Sequence, residues 1–240
     1  MKNHQVMEEI DCNKLLESLS LEIERLAAYL VDRKIPRNDY VKRYAIFYAA
    51  QCLDFSKALV ALQDQEAVVS QYAIWRSLFE AYVRFAYLIA AGKDCKEIQI
   101  QRLQNLQLEA FKDELNGIND SELDLDPIVK VERKSWLQQQ IKELEVVGAK
   151  SGKNISEMLK VLTSSDLTNG WYPFFRMCSA KTHSRLTDLE RVYGQDGAGP
   201  KFPAIQTPDE CHFIFQNAQK FLFEVGSGVA TLWGEEISVA

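Results

Sequence analysis

From Val41 to Leu62 the apolar residues fall at steps of four and three: Val41, Ala45, Tyr48, Cys52, Phe55, Leu59 and Leu62. That spacing draws a single stripe along a helix, whereas a strand would need alternation at every second residue. Leu16, Leu19, Ile23, Leu26 and Leu30 repeat the pattern upstream, and KIPRND, a proline among turn formers, separates the two runs. Two long amphipathic helices joined by so short a turn are expected to pack antiparallel. No segment of any length alternates at the strand period, so the chain must build its core from helices.

The remaining helices follow from the same reading. Residues 67–91, AVVSQYAIWRSLFEAYVRFAYLIAA, form a third helix that Gly92 stops. A fourth runs from Lys93 to Leu115, with Ile100, Leu103, Leu106 and Phe111 expected to face inward. After an acidic loop, Asp126 and Pro127 supply an N-cap and a first-turn proline for a fifth, whose Trp136, Leu137, Ile141 and Leu144 are expected to be buried. Asn154 with Glu157 makes a capping box for a short helix through Leu162. Pro173 suits the first turn of the next, and Thr207, Pro208 and Glu210 open the last. The expected fold is all-α: a single-domain helical bundle over 1–240, with long helices, shorter helices and two long loops. The aperiodic stretch 194–206 is expected to be a mobile loop.

An apolar fraction of 47% in 240 residues supplies a sizeable core, and the net charge of −6 argues against general binding to nucleic acid or membrane surfaces. Charges interrupt the most apolar stretch well short of the roughly 20 residues that span a bilayer. The start, MKNHQVMEEIDCNK, lacks the apolar core of a signal peptide. Five cysteines at wide spacings, with no CxxC, imply reduced thiols and a cytoplasmic location, not a disulfide frame or a zinc knuckle.

One helix breaks its own pattern. Arg76, Glu80 and Arg84 lie four residues apart in the third helix, among Trp75, Phe79, Tyr82, Phe85 and Tyr87. A helix apolar nearly all round is a buried one, and buried charge needs a partner. Arg76 and Glu80 are therefore expected to face inward, onto polar groups of another helix. FFRMCSAKTH offers them: Arg176 and His183 stand two turns apart on one face, separated by a rise of roughly 10 Å. The plainer alternatives are a solvated edge with two i,i+4 ion pairs, or a closed structural network. Cys178 is turned away from His183, which disfavours a Cys–His nucleophile pair.

WRSLFEAYVRFAYL together with FFRMCSAKTHSRLTDLERVYG resembles an uncharacterised bacterial helical family, a domain of unknown function of the 5677 type. The resemblance spans about residues 60 to 195. That family is in turn remotely similar to the HEPN helical domains, in which an arginine, four to six residues and a histidine cleave RNA without a metal, usually across a dimer. Arg176 and His183, with six residues between them, match that pattern. Met177 departs from it, because a polar residue commonly follows the arginine. The resemblance implies a HEPN-like fold and a homodimer acting on RNA, with Arg176, His183 and Glu80 in the catalytic group. Arg76, Ser179 and Tyr172 are the candidates for substrate binding. No cofactor, metal, membrane or DNA is expected. Two other classes stay open: a non-catalytic dimerising or partner-binding module, and a pocket for a small anionic or nucleotide ligand.

Overall fold

A computed structural model describes residues 12–63, 68–90, 95–120, 126–151, 154–162, 171–182 and 208–235. They form eight helices: α1 (Cys12–Val31), α2 (Tyr40–Gln63), α3 (Val68–Ile89), α4 (Lys96–Asp120), α5 (Pro127–Val146), α6 (Ile155–Val161), α7 (Tyr172–Thr182) and α8 (Pro208–Trp233). The fold is all-α, with no strand among the described residues. Gly92, Thr207 and the loop 194–206 lie outside the described residues. The chain groups into two compact units, one of Met1–Phe85 with Ser164–Ala240 and one of Ala86–Thr163.

In the first unit α1, α2 and α8 pack on one another. The stripes meet there: Leu19, Ile23 and Leu26 of α1 and Val41, Ala45, Cys52 and Leu59 of α2 are buried. Phe221 of α8 gathers the aromatic residues, stacked on Tyr82 with ring centroids 4.4 Å apart and edge-on to Trp171 at 4.8 Å. Two polar groups are drawn into this core with partners. Tyr82 donates its hydroxyl to Glu224, and Tyr72 donates to Glu210 at 2.8 Å. Burial, then the Glu224 charge and hydrogen bond, push the Tyr82 hydroxyl well above its ordinary pKa. Burial alone does the same to the Cys52 thiol. No disulfide joins Cys52, Cys95, Cys178 and Cys211. By length and composition α2 is apolar enough to cross a membrane, but Val41, Ala45, Cys52 and Leu59 are already buried in the helix packing.

In the second unit α4 packs against α5. Asp126 caps α5, its carboxylate accepting from the Ile128 amide at 2.8 Å, and Asn154 caps α6 by accepting from Glu157 at 3.0 Å. Leu103, Leu106 and Leu108 are buried, but Ile100 is exposed; the buried position of that turn is held by Gln99. Leu137 is buried as expected, whereas Trp136 lies near the surface between the edge of Phe111 and the guanidinium of Arg133, 4.4 Å from its ring.

Candidate functional site

The site begins with the way α7 is anchored in the first unit. Trp75 and Phe79, one turn apart on α3, stack with centroids 5.4 Å apart. Phe174 meets Trp75 edge-on at 4.7 Å, and Phe175 meets Phe79 at 5.3 Å. Tyr172 stacks on Phe175 at 5.9 Å, and Cys178 completes the buried side of α7. Neighbouring aromatic residues thus turn one side of α7 onto α3 and fix the rotation of the helix. Arg176 is thereby left exposed, next to a buried Phe175.

The ridge of α3 runs beside this contact. Glu80 gives one carboxylate oxygen to Arg76, 2.9 Å away, and the other to Arg84, at 3.5 Å. The side chains retain 32%, 22% and 34% exposure for Arg76, Glu80 and Arg84, so the ridge is half-buried and in reach of water. This corrects the expectation that Arg76 and Glu80 seek partners on another helix: a carboxylate four residues from each arginine is the nearest counter-ion to both. Among the described residues the ion-pair partners of Glu80 are Arg76 and Arg84, not Arg176. The Arg76 guanidinium lies over the ring of Phe175, 5.6 Å from its centroid. A cation on an aromatic face is attracted to the ring and held in orientation.

Arg76 Nε is closed off from solvent and has no hydrogen-bond acceptor among the described residues. Ser179 and Tyr172 are half-buried on α7. His183 lies outside the described residues. The structure therefore brings Arg76, Glu80 and Arg84 together, sets Phe175 beneath Arg76, and places Arg176 next in the chain on the open side of α7. Phe175 as a platform was not visible in sequence, since a ring supporting a guanidinium on another helix has no spacing that marks it. Among the described residues no group of three or more His, Cys, Asp or Glu could hold a metal.

Residues 42–200 match a family described as a family of unknown function (DUF5677). No curated protein and no solved structure matches the chain.

Proposed function

The chain belongs to the DUF5677 family, and from that premise we propose that it is a cytoplasmic, HEPN-like ribonuclease acting without a metal, as a homodimer, in a bacterial defence or toxin role. The observation that supports the reading is the exposure of Arg176 on a helix whose other side is locked by Phe174, Phe175 and Cys178. An arginine so placed meets a phosphate without moving the helix that carries it. It stabilises charge that develops on the phosphoryl oxygens.

His183, whose pKa range suits proton transfer near neutrality, takes the proton of the ribose 2′-hydroxyl as that oxygen attacks the adjacent phosphorus. As the 2′-oxygen bonds to phosphorus the bond from phosphorus to the 5′-oxygen breaks, the leaving 5′-oxygen takes a proton from water, and the product ends in a 2′,3′-cyclic phosphate. DNA, which has no 2′-hydroxyl, is not a substrate for this step. Glu80 keeps Arg76 and Arg84 oriented along the edge of the site, with Arg76, Ser179 and Tyr172 contacting the RNA. The test is incubation of total RNA with the protein in the presence of a chelator. Cleavage is expected, and Arg176→Ala and His183→Ala should each abolish it while leaving the helical circular-dichroism signal intact. Absence of cleavage at high protein concentration, or undiminished cleavage by both variants, defeats the proposal.

A further inference from the structure

The second unit contains a hollow of about 450 Å3 between the start of α4 and the turn that follows α5. That volume lies within the range of small-molecule sites, roughly 300–1,000 Å3. Its floor is built from buried polar groups. Tyr87 and Asn105 are almost fully enclosed. The Asn105 carbonyl oxygen accepts from the Lys150 amide at 2.7 Å, and its amide nitrogen donates to the Tyr87 hydroxyl at 3.5 Å. Donation by Asn105 uses the hydroxyl as an acceptor, and among the described residues the Tyr87 proton has no acceptor of its own.

Arg102 is fixed in two ways. Its Nη1 donates to the Tyr87 carbonyl at 2.7 Å, and its guanidinium lies over the Tyr87 ring, 5.0 Å from the centroid. That arrangement leaves the Nε–Nη2 edge, the fork that matches a carboxylate in a bidentate pair, without a partner among the described residues. Lys150, an exposed residue of the lining, adds a second cationic side chain, and among the described residues no carboxylate lines the hollow. Ile98 and Val161, both partly exposed, supply apolar wall.

Donors with no acid among them select an anion, and apolar walls beside them select one that carries hydrocarbon. We propose that this hollow binds a small organic carboxylate, its carboxylate on Arg102 and Lys150 and its short apolar tail against Ile98 and Val161. The hollow is lined by residues of the second unit, Arg176 belongs to the first, and the proposal does not depend on the ribonuclease reading.

Hexanoate serves as the probe, with inorganic phosphate as the anion alone and 1-hexanol as the tail alone. Backbone amide NMR of the full chain should show saturable shifts at Asn105, Gly148 and Lys150 with hexanoate, and weaker ones with either control. Lys150→Glu reverses the charge of an exposed residue, and the helical circular-dichroism signal checks that the variant folds. It should weaken hexanoate by about tenfold or more, equivalent to about 1.4 kcal/mol. Arg102→Lys, which keeps the charge and removes the fork, should weaken it as well. The proposal is overturned if hexanoate gives no saturable shift, if phosphate or 1-hexanol binds as well as hexanoate, or if Lys150→Glu leaves binding unchanged.

Discussion

The ridge of α3 and the hollow beside α4 both set an arginine on the face of an aromatic ring, Arg76 over Phe175 and Arg102 over Tyr87. They differ in what the guanidinium does next. On the ridge, Glu80 is shared between Arg76 and Arg84, so its carboxylate pairs with both and offsets one of their two positive charges. In the hollow, among the described residues, the Arg102 guanidinium meets a neutral carbonyl and the ring and makes no ion pair, so its positive charge is unanswered there. A charge paired within one helix contributes to order; a charge positioned by the fold and left unanswered is available to a ligand. Arg176, exposed on an anchored helix, belongs with the second kind.

The sharpest way to break this contrast is through the aromatic anchor. Trp75 is fully buried and touches Phe79, Phe174, Phe213 and Phe221. Trp75→Ala should cost about 3–5 kcal/mol in urea unfolding and should abolish RNA cleavage with Arg176 still present, because the helix that aims it is no longer held. Next in size is Tyr82→Phe, which removes the donor to Glu224 and should cost about 1–3 kcal/mol. Glu80→Ala comes third. Since water reaches the ridge, it should cost only about 1 kcal/mol, with Glu80→Gln costing less. A loss from Glu80→Ala of about 3–5 kcal/mol, the cost of stranding a buried charge, would instead make the ridge a closed structural network.

The smallest effect concerns pH. Hydrogen bonds from Arg33, then Tyr29, hold the exposed Glu235 carboxyl below its ordinary value of 4.5. A depressed folded pKa gives stability that is present above the unfolded value and lost as pH falls through the folded one. Wild type and Arg33→Ala should therefore differ slightly at neutral pH and converge in unfolding midpoint as pH drops below 4.5. A gap that widens in acid would contradict the assigned pairing. At the other end of the range, burial and the Glu235 hydrogen bond push the Tyr29 hydroxyl up to about 12, so its contribution is lost only in strong base.

Much of the helical framework was legible because apolar spacing and caps are local. The α1 and α2 stripes, the Asp126 cap and the Asn154 cap can each be read from a few neighbouring residues, and each is present in the fold. Ile100 and Trp136 were misplaced because their exposure depends on helix rotation. Gln99 and Leu137 occupy the inward positions, and spacing by itself leaves a rotation of one residue undecided. The ridge was legible as a row of charges but not in its pairing. An aromatic surround suggested full burial, whereas the ridge lies at the edge of the aromatic contact, where own-helix partners suffice. The hollow had no signature at all. Tyr87, Arg102, Asn105 and Lys150 come from three separate segments and converge only through the packing of their unit.

The most direct test of the central claim, that the fold presents Arg176 to an RNA phosphate while the ridge arginines are paired with Glu80, is the salt dependence of RNA binding. Single-stranded RNA is titrated against His183→Ala, which under the proposed function should bind without cutting, and against the double variant Arg176→Ala/His183→Ala. Loss of one phosphate contact should weaken binding and reduce the slope of log K against log salt by about 0.7. Equal affinities and equal slopes for the two proteins would show that Arg176 holds no phosphate.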